Sequence, residues 1–353
     1  MMFFYDDELY LEDILNVSEL DLPWEKLLGK KMLISGATGL IGSFLVDVIM
    51  KKNIKEKLQC DIYLLTRNTE KAKLRFSKYN NCSMIKYVEA DVRYPIKNIE
   101  IDRMDYVLHL ASNTHPMQYS TDPIGTITTN IIGLQNMLEF AIEHETERFL
   151  FASSNEIYGE NRGDTEFFDE EYCGYINSNT MRAGYPESKR CGESLCQAYR
   201  VQKKLDVVIA RLTRTYGPTM LMTDTKAISQ FIKKCIAGED IILKSAGNQY
   251  YSYQYMSDSV SGLLTVMLCG AEGEAYNIAD EKSDVKLKDL ANIISSESGQ
   301  KVIYEIPNKI EAAGYSTATK ARLNGNKLKK LGWSSKYNIR EGVKRTISIL
   351  KNM

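Results

Sequence analysis

The sequence reads Gly36-Ala37-Thr38-Gly39-Leu40-Ile41-Gly42 directly after an apolar run at residues 32–35 and at the start of a helical pattern at residues 40–50. Glycine permits a sharp turn and a close backbone approach to a pyrophosphate, and the N-terminus of a helix favours phosphate. The spacing is GxxGxxG rather than GxGxxG. Because it follows the first predicted strand, it predicts a dinucleotide-binding turn, with a turn needed only for packing as the alternative.

Outward from this turn, short apolar runs alternate with helical patterns. Such alternation predicts right-handed crossovers and a parallel sheet, and nearly continuous apolar strands indicate that both faces of the sheet are covered. We therefore expect a doubly wound parallel α/β domain of the Rossmann type over residues 31–212. The runs lie at residues 62–65, 84–88, 106–110, 149–152 and 207–212, and the main helical patterns at 124–143 and 186–203.

Two further regions flank this domain. Residues 1–30 form an acidic N-terminal extension in which an amphipathic helix is expected, with an apolar face made by Leu9, Leu11, Ile14 and Leu15. Residues 213–353 mix helical and strand patterns, and we expect a smaller mixed α/β substrate-binding domain there. Some of its elements, for example residues 253–270, are expected to return to the Rossmann domain.

Composition excludes several classes of protein. The 353 residues carry a net charge of -1 without a polybasic block, so no nucleic-acid partner is expected. No apolar run reaches the ~18 residues of a membrane span, and no signal peptide is recognisable. Seven cysteines without a CxxC pair and only three histidines predict reduced thiols, no metal site and a cytoplasmic location.

The end of the second strand normally selects the cofactor. An acidic residue there binds the ribose of NAD, whereas arginine accommodates the additional phosphate of NADP. Here the strand ends in Leu65-Thr66-Arg67-Asn68 without a carboxylate, so Arg67 favours NADP, and the alternative is an NAD ribose bound by other groups. Asp91, followed by Val92, comes after the third strand and is expected to accept hydrogen bonds from the adenine.

A YxxxK motif supplies the candidate catalytic pair, Tyr185 and Lys189. The spacing occurs a second time at Tyr199 and Lys203, so it is not specific by itself. Pro186 marks a helix start, which places the first pair at the carboxyl edge of the sheet, where cofactors bind. Tyr199 lies roughly 21 Å further along the helix and is interpreted as structural.

This arrangement suits proton transfer coupled to hydride transfer. A phenol of pKa ~10 is a poor base at neutral pH, but a nearby ammonium and a nicotinamide cation favour the phenolate. Tyr185 then accepts a hydroxyl proton while hydride leaves the same carbon. Ser154, just past the strand at residues 149–152, is expected to support the oxygen, and the alternative is a hydroxyl that caps a turn.

These motifs together resemble the extended short-chain dehydrogenase/reductases, and more narrowly the NAD(P)-dependent nucleotide-sugar epimerases, dehydratases and decarboxylases. The resemblance implies transient oxidation at C4 of a sugar by a retained cofactor, with no net redox change. It also implies cofactor contacts from Leu110, Ala111, Ser112 and Asn130. The motifs that carry it are residues 36–42, Asp91, His109-Leu-Ala, Asn130, residues 154–159 and the Tyr185/Lys189 pair.

The segment Ser154-Asn155-Glu156 bears on the reaction. By resemblance, a glutamate after the catalytic hydroxyl belongs to dehydratases and decarboxylases rather than to simple 4-epimerases. Glu156 is therefore expected to act as a second acid or base at C5, and the alternative is a solvated loop residue. Asn155, expected at the substrate, cannot protonate a leaving hydroxyl, which disfavours the dTDP-glucose dehydratase mechanism.

Other segments resemble the UDP-glucuronate decarboxylases most, including Pro116, Tyr119 and Arg182, the last expected at the substrate. Two positions depart from that family. It has asparagine where this chain has Arg214, and a diphosphate-binding arginine where this chain has Tyr251. Arginine binds phosphate bidentately and tyrosine does not, so Arg214 and Lys226 are expected to supply the compensating charge at the substrate.

Two alternatives remain for the function. An NADPH-dependent reductase of a carbonyl or keto-sugar would use the same Ser154, Tyr185 and Lys189, whereas a non-catalytic dinucleotide sensor is disfavoured by that intact set. The resemblance also implies a homodimer formed by the helices at residues 124–143 and 186–203. Met137, Phe140, Leu195 and Tyr199 would form the contact, or would equally form ordinary core.

Overall fold

A seven-stranded, entirely parallel sheet forms the centre of the computed structural model, which describes residues 4–97, 99, 101–114, 119, 121–305 and 319–353. The strands are β1 (Lys31–Ser35), β2 (Asp61–Thr66), β3 (Ile85–Glu89), β4 (Tyr106–His109), β5 (Arg148–Ser154), β6 (Val207–Leu212), β7 (Arg214–Tyr216), β8 (Ile241–Leu243), β9 (Tyr250–Tyr255), β10 (Ala275–Ile278), β11 (Asp284–Lys286), β12 (Val302–Tyr304) and β13 (Lys320–Ala321). The helices are α1 (Glu8–Ser18), α2 (Leu40–Glu56), α3 (Thr69–Arg75), α4 (Pro123–Glu143), α5 (Gly184–Lys203), α6 (Ala227–Ala237), α7 (Met256–Cys269), α8 (Leu287–Ser296), α9 (Asn326–Lys329) and α10 (Ile339–Lys351).

The order of the central sheet is β10-β6-β5-β4-β1-β2-β3. The order of β1 to β6 is that of a doubly wound dinucleotide-binding sheet, whose strand order reverses between β1 and β4. The central strands are buried along almost their whole length because helices cover both faces. The predicted fold class is confirmed, and the loops that bind ligands in such a sheet are those after β1 and β4.

The last strand of the central sheet comes from the C-terminal third of the chain. Residues 275–278, which form β10, pair in parallel with β6 and extend the sheet at its edge. Helix α7 is buried on all sides and packs against α2 and β6. A smaller sheet of β11, β9 and β13, with β7 paired to β9, lies beyond the carboxyl edge of β6. The domain boundaries expected from the sequence remain a prediction.

The N-terminal helix α1 packs with a different face from the one expected. Leu11 and Leu15 are 40% and 36% exposed, whereas Ile14 is buried together with Tyr10 and Asp13. The reason is a pair of buried polar contacts that the apolar pattern does not reveal. The Tyr10 hydroxyl donates to Asp47 Oδ2 on α2 at 2.6 Å. Asp13 Oδ2 accepts from the Tyr255 hydroxyl at 2.6 Å, and Asp13 forms an ion pair with Arg345 at 2.9 Å.

Three further observations concern the described residues. None of their helices combines the length and the apolar character that a bilayer crossing needs. No group of three or more His, Cys, Asp or Glu side chains within the described part of the chain is arranged to hold a metal ion. All seven cysteines are free thiols. Pro116, singled out in the sequence, lies outside the described residues.

Candidate active site

The glycine turn after β1 lies against the end of β4. Gly36 has φ +74°, and a Cβ at this position would lie 2.8 Å from the backbone nitrogen of Ala111. Gly42 packs equally closely on the Gly36 carbonyl, so a side chain at either position would displace the turn. Helix α2 begins immediately after Gly39, with Thr38, Leu40 and Ile41 half-buried around its first turn. The arrangement is an open helix N-terminus at the point where the strand order reverses.

Polar contacts connect the ends of β1 and β4. Ser35 Oγ lies 2.9 Å from His109 Nδ1 and accepts a hydrogen bond from the Ala111 amide at 3.3 Å, while the Leu110 amide donates to the Ser35 carbonyl. Burial, reinforced by the charge of Lys189, lowers the pKa of His109 to about 3. This histidine is therefore neutral at physiological pH and fixes the two strand ends instead of titrating.

The adenine end of the expected cofactor site contains Arg67 and Asp91. Arg67 follows β2, and no carboxylate stands at the end of that strand. Asp91 forms an ion pair with Arg93, in which Arg93 Nε and Nη2 donate to Asp91 Oδ2 at 3.1 and 2.7 Å. These hydrogen bonds lower the pKa of the Asp91 carboxyl group. Val92, next to Asp91, is buried against Gly133 of α4.

Tyr185 and Lys189 lie one turn apart at the start of α5, 5% and 3% exposed. Lys189 Nζ donates to the Ala152 carbonyl on β5 at 2.7 Å and lies 6.0 Å from the centre of the Tyr185 ring. Burial lowers the pKa of Lys189 to about 8. Burial also raises the pKa of Tyr185 to about 12, an effect to which the charge of Glu156 adds and which hydrogen bonding by Ser154 and Ser112 opposes.

Burial therefore opposes formation of the Tyr185 phenolate in the protein without cofactor. The expectation that Lys189 and a nicotinamide cation together favour the phenolate stays a prediction. The second YxxxK tyrosine, Tyr199, is engaged elsewhere and donates a hydrogen bond to Glu139 of α4. The two serines at the end of β5 also differ. Ser153 Oγ donates to Glu193 at 2.5 Å, whereas Ser154 Oγ accepts from the Glu156 amide at 3.2 Å and also hydrogen-bonds to Tyr185.

A hydrogen-bonded chain connects α4 to the first turn of α5. Ser112 Oγ donates to Asn130 Oδ1 at 2.7 Å, Asn130 Nδ2 donates to Ser188 Oγ at 2.8 Å, and Ser188 Oγ donates to the Tyr185 carbonyl at 2.8 Å. Asn130 and Ser188 are almost completely buried. This chain of contacts fixes the backbone that carries Tyr185. Sequence reasoning missed Ser188, although its place one turn after Tyr185 on a helix was the available signal.

A second acid lies beside the tyrosine. Glu156 Oε1 is 3.6 Å from Arg182 Nη2, and both side chains are half-buried. Tyr119 stacks on Tyr185 with ring centres 4.8 Å apart, and burial, followed by the charges of Tyr185 and Glu156, raises its pKa. The charge of the buried Asp224 contributes less to that rise in the pKa of Tyr119, and sequence reasoning did not single out this residue.

The expected substrate residues occupy different surroundings. Asn155 is buried in the single turn of helix after Ser154, and Lys226 Nζ is paired with Asp224 Oδ2 at 2.8 Å. The Arg214 guanidinium lies 3.7 Å from the centre of the Tyr251 ring. The two positions at which this chain departs from the family that it resembles are therefore in direct contact.

Comparison with known proteins extends this description. The model of the NAD dependent epimerase/dehydratase family matches residues 32–279. UDP-glucuronic acid decarboxylase 1 of Xenopus tropicalis is 33% identical over 321 residues, covering 90% of this chain and 71% of the relative. UDP-glucuronic acid decarboxylase 3 of Arabidopsis thaliana is 32% identical, covering 89% of this chain and 86% of the relative.

Solved structures share the fold at lower identity. The UDP-glucose 4-epimerase of Thermotoga maritima, solved with UDP-glucose, superposes with a TM-score of 0.76 at 21% identity, covering 91% of this chain and 99% of that chain. The UDP-glucuronic acid 4-epimerase of Bacillus cereus, solved with UDP-glucuronic acid and NAD, gives 0.76 at 20% identity, with coverage of 91% and 99%.

Proposed function

The chain belongs to the NAD dependent epimerase/dehydratase family and is an enzyme of that family, and we propose that it decarboxylates UDP-glucuronate through a transient 4-keto sugar. The observation that carries this proposal is the acid–cation pair of Glu156 and Arg182 beside Tyr185. Identities of 30–33% to UDP-glucuronic acid decarboxylases support it, because they extend over most of the chain.

The residues after β1 and β4 fit a dinucleotide. The close packing at Gly36 and Gly42 keeps the turn free of side chains, and the N-terminus of α2 offers amide groups to a pyrophosphate. Ser112 and Asn130 would border the nicotinamide end, beside Tyr185. When bound, NAD⁺ would accept a hydride from C4 and bring a positive charge close to the tyrosine.

Tyr185 acts as the base that removes the proton from the C4 hydroxyl. Since burial raises its pKa to about 12, the phenolate forms only when positive charge is close, and Lys189 is the cation that the chain provides. Ser154 holds the C4 oxygen by a hydrogen bond as it becomes a carbonyl. The same groups stabilise the enolate oxygen when the neighbouring carboxylate departs.

Glu156 and Arg182 act at the other side of the ring. A C4 ketone makes the C5 carboxylate a leaving group: the bond from C5 to the carboxyl carbon breaks, carbon dioxide departs, and the electron pair forms the enolate. C5 then takes up a proton, which Glu156 is placed to deliver. Tyr185 would return its proton to the C4 oxygen as the bound cofactor gives back the hydride, so that the cycle would have no net redox change.

Product mass tests this proposal. The purified protein is incubated with NAD⁺ and UDP-glucuronate, with UDP-glucose as a matched substrate that lacks the carboxylate. We expect loss of carbon dioxide from UDP-glucuronate only. An isomer of unchanged mass would establish an epimerase, and loss of water would establish a dehydratase. Glu156→Gln is expected to slow proton delivery to C5 and therefore formation of the decarboxylated product, while oxidation at C4 and the first release of carbon dioxide persist.

A second candidate is a reductase of a carbonyl or keto-sugar that uses exchangeable NADPH. The observation in its favour is Arg67 at the end of β2, where no carboxylate stands to bind the ribose of NAD. Stoichiometric consumption of added NADPH with a keto-sugar would establish this candidate. Decarboxylation without consumption of added cofactor would exclude it.

A homodimer is part of the proposal. Met137 and Phe140 are buried within one chain, so they serve as core and not as a contact surface. Exposed apolar side chains nearby support a contact through the outer faces of α4 and α5: Ile124, Ile127, Ile132 and Met181. Ile132→Glu is expected to give a monomer in light scattering.

The seven free thiols fit a reducing compartment such as the cytoplasm.

A further inference from the structure

We propose that Arg214, stacked on Tyr251, is the site that binds the diphosphate of the nucleotide sugar. The inference rests on the proposed function, because it assigns one part of that substrate to one side chain. It concerns the two positions at which this chain departs from the family pattern. The family that the sequence resembles has its arginine at the position of Tyr251, whereas in this chain the arginine is Arg214 and the Tyr251 ring packs against it.

The position of Arg214 follows from strand pairing. At the carboxyl edge of the central sheet, Ser154 of β5 pairs with Leu212 of β6. Only Thr213 separates Leu212 from Arg214, which begins β7, and two residues of extended chain span roughly 7 Å. Arg214 therefore lies just beyond the level of Ser154, where a substrate held by Ser154 would continue.

Tyr251 fixes the guanidinium group. It stands on β9, whose neighbouring residue Tyr253 pairs in register with Arg214, and it is only 6% exposed. The guanidinium lies 3.7 Å from the centre of the ring, which is a close cation–π contact. The buried ring gives the guanidinium a fixed surface to pack against, and this contact uses none of its N–H groups as hydrogen-bond donors to oxygen.

The described residues provide no counter-charge for Arg214. Throughout the described part of the chain, no ion pair of Arg214 is found, and its Nη1 atom is buried without a hydrogen-bond partner. A buried donor without a partner and a half-buried cation without an anion both cost free energy. A diphosphate removes both costs, because phosphate oxygens accept paired hydrogen bonds from one guanidinium.

Two further cations near the site, Lys226 and Arg182, are already paired with carboxylates. Lys226 is paired with Asp224, and Arg182 with Glu156. An anion at Arg214 has two sources in UDP-glucuronate, the diphosphate and the sugar carboxylate. We assign the diphosphate, because Arg182 and Glu156 already occupy the sugar end beside Tyr185.

Binding of UDP, which has the diphosphate but no sugar, tests the assignment by calorimetry on the full chain. Arg214→Asn is expected to weaken UDP binding by about tenfold or more, and Arg214→Lys to weaken it less. Arg340→Asn, at an exposed arginine of α10, is the control and is expected to bind UDP as the natural protein does. The reciprocal variant Arg214→Asn/Tyr251→Arg returns the arginine to β9 and is expected to regain most of the affinity.

Unchanged UDP affinity in Arg214→Asn would overturn the proposal, as would failure of the natural protein to bind UDP. Weaker binding of UDP-glucuronate alone, with UDP and UDP-glucose unaffected, would move Arg214 to the carboxylate and also overturn it. Recovery in the reciprocal variant shows that Arg214→Asn had not simply unfolded. If UDP binds through Arg214 but UDP-glucuronate is not converted, the proposed function fails and this inference stands.

Discussion

Asn130 on α4 donates a hydrogen bond to Ser188 Oγ on α5 at 2.8 Å, and that hydroxyl in turn donates to the Tyr185 carbonyl at 2.8 Å. A buried amide thus determines where the backbone of the candidate base lies, without touching the phenol itself. Catalysis tolerates little displacement of a base, because proton transfer needs hydrogen-bond reach in the reacting complex.

Ser188→Ala should therefore lower kcat by roughly tenfold to a hundredfold while KM for UDP-glucuronate changes little. It also leaves the buried Asn130 amide without one partner, which should lower the free energy of unfolding by about 1–3 kcal/mol. Ser194→Ala, at an exposed serine of the same helix, is the control. A Ser188→Ala enzyme with natural kcat would show that this hydrogen-bonded chain does not position Tyr185.

The two YxxxK tyrosines should respond differently to the same substitution. Tyr185→Phe removes the proposed base and should lower kcat by roughly 10²–10⁴-fold, with UDP affinity preserved. Tyr199→Phe loses only its hydrogen bond to Glu139 and should keep most of the activity. Steady-state kinetics on both variants distinguish the roles, and equal losses in the two would contradict the assignment of Tyr185.

Lys189 should make the fold less stable at neutral pH. Burial lowers its pKa from 10.5 to about 8, so between those values the unfolded chain holds a proton that the folded chain has lost. Stability from this group therefore increases as pH rises from about 8 to 10.5, and at pH 7 the deficit is about 3 kcal/mol.

Lys189→Met removes this buried charge, so the variant should be inactive and yet unfold at a higher temperature than the natural protein at pH 7. The difference between the two proteins should narrow at pH 10, because the folded natural protein then has a neutral lysine. Thermal unfolding at both pH values measures this. A difference that widens with pH would mean that Lys189 is not held at a lowered pKa.

Arg67 should discriminate between the two nicotinamide dinucleotides. If it binds the additional phosphate of NADP, Arg67→Ala should weaken NADPH binding by about tenfold or more and leave NADH binding nearly unchanged. Lys73→Ala, at an exposed lysine paired with Glu70 on α3, is the control for loss of a positive charge nearby. Fluorescence titration of each reduced cofactor gives the affinities, and equal changes for both would remove the predicted NADP preference.

The strand–turn–helix at residues 31–56 could be predicted because it is local: an apolar run, three glycines and a helical pattern are contiguous in sequence. The buried face of α1 could not be predicted in this way, because it depends on contacts with Asp47 and Arg345, which lie far away along the chain. The apolar run that forms β10 is too short for the sequence to predict that this strand pairs with β6.

The same reasoning applies to the candidate site. Tyr185 and Lys189 are one helical turn apart, and the period of the helix predicts their proximity. The contact of Arg214 with Tyr251 joins the parallel strands β7 and β9, which are separated by 33 residues of chain. It therefore depends on how the two strands pair and not on the spacing of the two residues in the sequence. The sequence alone indicated that both positions were unusual, whereas only the fold shows that they are one structural unit.

Transient reduction of the nicotinamide is the most direct test of oxidation at C4. NAD⁺-loaded protein is mixed rapidly with UDP-glucuronate carrying hydrogen or deuterium at C4, and the absorbance of the reduced nicotinamide is followed. We predict a rise and then a full return to the starting value, with the rise slower for the deuterated substrate. Turnover without any transient or isotope effect, or a stoichiometric rise that persists, would contradict a retained cofactor that oxidises and then reduces C4.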